Sequence, residues 1–541
     1  MKDSKSTLWQ KIAIVGVCLI TFFVNNTTIV PDIMESRNII TARAMVDEGC
    51  WLIPTMNGAL RLEKPPLPTW LTALAEMASP DNLALYRAVA GCAALLMVFF
   101  FWKLARRVLC INPFYPTLLL CTCYCIVLMG RTASWDIYCH AFMMGGIYYL
   151  ALALEAEQCR WRHFITAAVF TGLSIMSKGP VSPYALFLPF LIAYIWKYKP
   201  AMSGKWRGVI AFAVLSLVIG SWWFVYIHFS ASEALQAAVV QESGAWMNHN
   251  VRAWYYYWKF FLETGVWSLL LLTAMFLPMS DKPRRFNREW QFAMIWMLAS
   301  LVLLSLMPEK KSRYLMPLVL PACYVMGMLV EWWRTSLSNA AEAPKSDRIM
   351  LRVNAWLIAI VVAALPIVGW VALVSPGYIT IWQWALITVV SLIVAYFVAT
   401  AAMKLCVTRL VKGVTVLFLA TEALFMPLLG NVINNPEMNS IANTRNMPEL
   451  ADVPFFHLDT VPLRIELVHA AHRNILPISA EAISQHLPCV LLTHDSITAT
   501  LPDSLLQGIE IREIGIFDDN RRPRGTQHHS ADFVYHVTLL K

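Results

Sequence analysis

Apolar runs near twenty residues recur from one end of this chain to the other, and no other feature restricts its fold so severely. In hydrocarbon, backbone N–H and C=O groups find no water, so a run that long crosses as a helix that satisfies them within itself. Roughly thirteen spans are expected, near residues 11–30, 83–102, 114–130, 137–156, 163–177, 180–196, 208–228, 259–279, 290–307, 314–331, 353–373, 379–402 and 412–430. Composition agrees, with 58% hydrophobic and only 14% charged residues. The fold class that follows is a polytopic α-helical membrane protein, not a set of soluble domains.

The basic residues obey this reading. Starting from a basic N-terminus inside, the loops at 103–107, 160–162, 197–207, 281–289, 334–352 and 404–412 are short, basic and cytoplasmic by the positive-inside rule. The alternating set, residues 31–82, 131–136, 177–180, 229–258 and 308–313, then lies outside, together with the tail from 431. The net charge of +9 is thus a topology signal, and no nucleic-acid partner is expected. The first apolar run lacks a small-residue cleavage site and reads as a retained helix. Most of the 12 cysteines fall inside apolar runs, where they act as small apolar side chains without metal or redox spacing.

Residues 33–47 and the stretch around Leu67, Trp70, Leu71 and Leu74 have helical spacing and are expected as juxtamembrane helices on the outer interface. The tail 431–541 has ordinary polarity and short alternating runs, which predict a small α/β domain large enough to fold alone. Its histidines show no ligand spacing.

Topology explains the inside charges but not the outside ones. Glu35 and Arg37 follow the first span, either as a polar pair or as part of a solvated helix. In Glu63-Lys64-Pro65-Pro66 each proline pushes the residue before it towards extended geometry, so Glu63 and Lys64 point opposite ways. One could meet a metal and the other a phosphate, or Lys64 could simply touch headgroups. Asp136 opens a span, where capping is a competing role, and His140 sits one turn further along the same face. Lys178 in SKGP ends a span, either as a site cation or as a lipid anchor. Glu242, His249 and Arg252 lie in an aromatic outer loop, and Lys310, Lys311 and Arg313 add outward cations. Together the cations suit a lipid-borne phosphate, and the carboxylates suit metal binding or activation of an acceptor hydroxyl.

The segment ESRNIITARAMVDEGCWLIPTMNGALRLEKPPLPTW, followed in order by Asp136, SKGP, a His-containing aromatic loop and RYLMPLVLP, resembles the bacterial 4-amino-4-deoxy-L-arabinose lipid A transferases. Those group with the protein O-mannosyltransferases among integral-membrane glycosyltransferases of the GT-C fold, and the shared order covers about 430 residues. The resemblance implies transfer of a sugar from a polyprenyl phosphate, undecaprenyl phosphate, to an acceptor at the periplasmic face of the inner membrane. A glycolipid such as lipid A, another envelope glycan or a protein hydroxyl would be the acceptor. It implies that Arg37, Lys64, Lys178, Arg313 and Tyr314 contact the carrier phosphate, that Glu63 and His249 hold a divalent metal (Zn, Mg or Mn), and that Asp136 is an essential acid. The family usually carries two acids before the first-loop arginine. Here those positions are Met34 and Glu35, so Glu35, Asp32 or Asp136 would take the base role, with Glu35 favoured. The competing classes are a transporter or flippase for a lipid-linked anion, and a scaffold protein. A transporter would place charges inside its spans and repeat its halves, whereas here most charges sit in loops and no halves match.

Overall fold

The computed structural model describes residues 8–280, 287–338, 343–433, 435, 437–527 and 529–541. The basic start of the chain, much of the loop 281–289, part of the linker 334–352 and His528 lie outside the described residues. In chain order the helices are α1 (Leu8–Phe23), α2 (Ile33–Asp47), α3 (Leu67–Ala78), α4 (Leu83–Arg107), α5 (Phe114–Cys121), α6 (Tyr124–Gly130), α7 (Trp135–Glu155), α8 (Trp161–Lys178) and α9 (Leu188–Tyr198). They continue with α10 (Trp206–Ser230), α11 (Ser232–Asn248), α12 (Ser268–Ser280), α13 (Asn287–Leu306), α14 (Met316–Ser336), α15 (Lys345–Gly369), α16 (Ile381–Met403), α17 (Val407–Ala420), α18 (Met426–Ile433) and α19 (Ile465–Ala471). The chain divides into two compact units: Met1–Thr27, Leu62–Pro68 and Asn82–Pro427 form one, and Thr28–Arg61, Thr69–Asp81 and Leu428–Lys541 form the other.

The first unit is the apolar bundle. Among the described residues, 9 helices are long and apolar enough to cross a membrane by length and composition. The other expected spans fold as shorter, broken or less apolar helices. The run 114–130 splits into α5 and α6, because Cys123 takes an extended conformation (φ −78°, ψ 131°) before α6 begins. The run 180–196 opens with a π-helical turn over Pro183–Phe187. A π turn also follows α17, over Thr421–Phe425.

That second turn anchors a buried polar knot. The Arg131 guanidinium pairs with Glu422 (2.6 Å) and donates to the carbonyls of Thr21 (2.7 Å), Val24 (2.8 Å) and Asn25 (2.7 Å). Carbonyls at and beyond a helix end lack intrahelical partners, and a forked guanidinium can satisfy several at once. Asn25 Nδ2 in turn donates to the carbonyls of Glu422 (2.9 Å) and Ala423 (3.0 Å). Removing one partner of a buried pair leaves the other charge uncompensated, at about 3–5 kcal/mol. Glu422→Ala should therefore lower the thermal midpoint in detergent clearly; an unchanged midpoint would show that the pair stabilises nothing.

The second unit carries β1 (Thr55–Met56), β2 (Ala59–Leu60), β3 (Phe455–Leu458), β4 (Ile475–Ile478), β5 (Cys489–Thr493), β6 (Ile511–Asp518) and β7 (Val534–Leu540). The last five form one sheet, in the order β4-β3-β5-β7-β6. β3 runs parallel to β4 and β5, while β7 is antiparallel to β5 and β6. The parallel β3–β4 pair needs a crossover, which α19 supplies. Ile40 of α2 is buried in the same core as Phe455, Val490, Leu492 and Val537, with Met56 packed against it. The helix expected over 33–47 therefore forms as α2 but is buried along most of its length, Glu35, Asn38 and Arg43 included. Asn57 and Gly58 take positive φ (53° and 76°), as a tight Asn-Gly hairpin requires. Asn57 then bonds the backbone of Ile475 in both directions, at 2.7 Å each way, which covers the open edge of β4.

Asp81 is bound by Arg43 (3.0 Å), Arg445 (2.6 Å) and His472 (3.2 Å). Burial alone would raise its carboxyl, but these partners hold it well below the usual carboxylate range. Beside them, burial pushes the His469 imidazole down to about 4. The folded unit therefore excludes a proton that the unfolded chain binds near pH 6.5. Stability is full above that pH and falls as pH drops from about 6.5 towards 4. Hydrogen exchange in β3 and β4 should accelerate over that window and do so less in His469→Gln; an identical response in both would refute the assignment.

Candidate active site

Three local structures in the first unit converge on one cavity. Residues Glu63–Pro66 form a bend with no regular helix, as the paired prolines dictate. Asp136 and His140 lie one turn apart near the start of α7. Lys178 is the last residue of α8, and Gly179 caps it at φ 66°, ψ −140°, a conformation that only glycine takes without strain. The cavity is about 420 Å³ and is lined by Glu63, Lys64, Pro65, Asp136, His140, Lys178 and Gly179, by Tyr184, Phe224, Val239, Glu242, Trp246 and Leu304, and by Glu309 and Tyr314.

Its charges are two lysines and four carboxylates, Glu63, Asp136, Glu242 and Glu309. Lys178 is ion-paired with Asp136, and the two side chains are only 5% and 2% exposed. The Lys178 ammonium also lies 5.2 Å from the centre of the Tyr314 ring, close enough for a cation–π attraction. Tyr314 donates its hydroxyl to Glu309 (3.1 Å), whose other oxygen pairs with Lys311 (2.5 Å). Lys64 donates to Glu242 of α11 at 2.8 Å. Both members of that pair are more open, at 19% and 28%. Glu63 differs from the other acids: its Oε2 is buried with no hydrogen-bond partner. Just outside this set, burial pushes the Lys310 ammonium down.

Residues 63–226 match the family model described as dolichyl-phosphate-mannose-protein mannosyltransferase. The undecaprenyl phosphate-alpha-4-amino-4-deoxy-L-arabinose arabinosyl transferase of Shewanella sediminis is 21% identical over 66% of this chain and 67% of its own length. A counterpart from Pseudomonas fluorescens is 25% identical over 56% of this chain, which spans 54% of that relative. The crystal structure of ArnT from Cupriavidus metallidurans bound to undecaprenyl phosphate aligns over 98% of both chains, with a TM-score of 0.67 at 15% identity. The chain has the fold of that structure and is similar in sequence to these arabinosyl transferases.

Of the residues expected at the site of such a protein, Glu63, Lys64, Asp136, Lys178 and Tyr314 line the cavity. Arg313 stands next to Tyr314 and acts on Asp136 electrostatically. His249 is an exposed residue at the end of α11, bonded through its backbone N–H to Ala245 (2.8 Å), and it is not part of the cavity wall. Glu35 and Arg37 belong to the second unit, in the first turns of α2. On a regular helix, residues two apart diverge by about 200°, so their side chains leave α2 on different sides. Asp32 caps that helix by accepting from the N–H groups of Met34 (3.0 Å) and Glu35 (2.8 Å). For the expected metal, no group of three His, Cys, Asp or Glu side chains comes together among the described residues; no step below runs through a metal.

Two cavity acids acquire their meaning only in three dimensions. Glu242 meets Lys64 across 178 residues of sequence, a separation that hides the pair. Glu309 is the single acid of PEKKSR, where three cations surround it in sequence. If Asp136 and Lys178 neutralise each other, neither can be removed alone without stranding a buried charge. Asp136→Asn and Lys178→Met should each cost about 3 kcal/mol or more, and the double variant should lose clearly less than the sum. Thermal midpoints of the four proteins would test this; strictly additive losses would contradict the pairing.

Proposed function

We propose that this chain moves a sugar from undecaprenyl phosphate to an acceptor at the periplasmic face of the inner membrane. The observation that carries this reading is the pair of lysines, from separate elements, set among four carboxylates in a cavity whose remaining walls are largely apolar. A phosphate on a long apolar tail matches that combination of fixed ammonium groups and greasy walls. The names of the relatives supply the carrier, and the basic loops sorted in the sequence support a cavity that opens outside.

Transfer needs a leaving group that is stabilised as charge develops on it. The acceptor oxygen bonds to the anomeric carbon while the bond from that carbon to the carrier phosphate breaks. Lys64 and Lys178 stabilise the departing phosphate. Lys178, tied to Asp136, is already oriented, so little reorganisation is needed during the reaction. Lys64 exchanges partners: its more open bond to Glu242 gives way to the phosphate, and Glu242 is a placeholder until the carrier arrives. Arg313, next to Tyr314, adds positive charge for the same phosphate. Glu63, with an unsatisfied oxygen, contacts a sugar hydroxyl or a cation. By the resemblance, Asp136 is an essential acid of the reaction. The acceptor is a glycolipid such as lipid A; the mannosyltransferase match over residues 63–226 supports a protein hydroxyl as the second reading.

Radiolabelled undecaprenyl-phosphate aminoarabinose, incubated with the purified protein and lipid A, tests the reaction. Labelled acceptor is the expected product, and transport of intact lipid without transfer would overturn the proposal. A charge-assisted hydrogen bond contributes about 1.5–3 kcal/mol, so Lys64→Ala should weaken undecaprenyl phosphate binding by roughly 10- to 150-fold. Glu242→Ala should leave it unchanged or tighten it. Equal weakening in both variants would exclude the placeholder role.

A further inference from the structure

We propose that the exposed loop 521–524 of the second unit is a docking surface for anionic phospholipid headgroups of the surrounding leaflet. The inference does not depend on the transfer reading. It begins in the sequence, where RRPR puts three arginines within four residues. They lie in the tail expected outside, where the positive-inside rule does not account for them.

The loop is built with its acids inward and its cations outward. Asp518 is buried and accepts from the backbone N–H (3.0 Å) and the side chain (2.8 Å) of Asn520. Asp519 accepts from the Ile441 N–H (3.0 Å) and from the Ser440 hydroxyl. Both carboxylates therefore fix the loop from within. Arg521, Arg522 and Arg524 are exposed. Arg524 reaches Asp518 at a long 3.4 Å, with its side chain 65% exposed. Glu437, which accepts from the Arg524 backbone N–H (3.2 Å), is an exposed acid beside them, and the cations still outnumber it.

A second observation puts this surface at headgroup depth. Arg521 donates to the Pro31 carbonyl at 2.7 Å, across 490 residues of sequence. Pro31 directly follows the first apolar run, 11–30, whose last residues, Ile29 and Val30, are 36% and 41% exposed. Consecutive Cα atoms are about 3.8 Å apart, so this guanidinium sits at the point where apolar chain gives way to water. Asn435, just past α18, donates to the carbonyls of Asn520 (3.0 Å) and Arg522 (3.2 Å). The loop is thus tied to chain leaving the last expected span as well as the first. Guanidinium groups at that depth meet a layer of lipid phosphates, whose oxygens match their forked N–H groups. None of the three arginines lines the candidate cavity, so the occupant is a phospholipid of the leaflet rather than a substrate.

The test uses the full chain in nanodiscs and reads hydrogen exchange in residues 519–527. The discs hold phosphatidylcholine alone, phosphatidylcholine and phosphatidylglycerol in equal parts, or phosphatidylcholine with lipid A. Phosphatidylglycerol should slow exchange relative to phosphatidylcholine, and about 1 M salt, with a screening length of about 3 Å, should remove the slowing. A basic residue near a headgroup surface strengthens the attraction about fivefold. Arg522→Gln combined with Arg524→Gln should weaken it roughly 25-fold and lose most of the slowing. Arg512→Gln, whose arginine pairs with Glu449 at the far end of β6, should keep it. If the double variant unfolds, the salt dependence of the unaltered protein decides. Equal exchange in the first two lipids, or slowing that survives salt or the double substitution, would overturn the proposal. So would its loss in Arg512→Gln, or slowing by lipid A without any by phosphatidylglycerol. The readout involves no sugar transfer, so failure of the functional reading would leave it standing.

Discussion

An ammonium group cannot be kept inside an apolar bundle unless an anion lies beside it, and the site is organised around that constraint. Lys178 closes α8, Asp136 opens α7, and each makes burial of the other tolerable. Because the two helices are packed together, the pair also sets where the cavity's innermost positive charge can sit. Tyr314 adds its ring face to the same ammonium, and Glu309 holds Tyr314 in turn. The result is a lysine whose direction is settled before any substrate arrives.

The outer lysine follows a different rule. Pro65 and Pro66 keep residues 63–66 out of a helix, so Glu63 and Lys64 project to different partners. Lys64 finds Glu242, on a helix with no buried residues of its own. A partly exposed pair in water-screened surroundings is worth far less than a buried one, and so can be exchanged. The cavity thus holds one fixed cation and one exchangeable cation. The carboxylate oxygen of Glu63 that has no hydrogen-bond partner lies in the same cavity wall.

Much of this was legible in the sequence, for local reasons. Apolar length marked the bundle, consecutive prolines marked the bend at Glu63-Lys64, and Gly179 after Lys178 marked a helix end. What stayed hidden depends on contacts between distant segments. No periodicity announces that Lys64 meets Glu242, or that Ile40 joins the core of a sheet whose strands begin at Phe455. The helix over 33–47 reads as interfacial because it mixes polar and apolar residues. It is instead buried, its polar side chains matched internally, as when Asn38 bonds both Thr69 (2.8 Å) and Thr72 (2.9 Å). Breaks inside apolar runs, such as the one at Cys123, leave no mark in hydropathy, since the residues on either side are equally apolar.

The central claim is that carrier phosphate replaces Glu242 on Lys64 while the Lys178–Asp136 pair stays intact. A structure of the protein determined with undecaprenyl phosphate tests it most directly. The account predicts a phosphate oxygen about 3 Å from Lys64 Nζ, with Glu242 turned away and Asp136 still on Lys178. A phosphate bound elsewhere, with the Lys64–Glu242 bond unbroken, would contradict it.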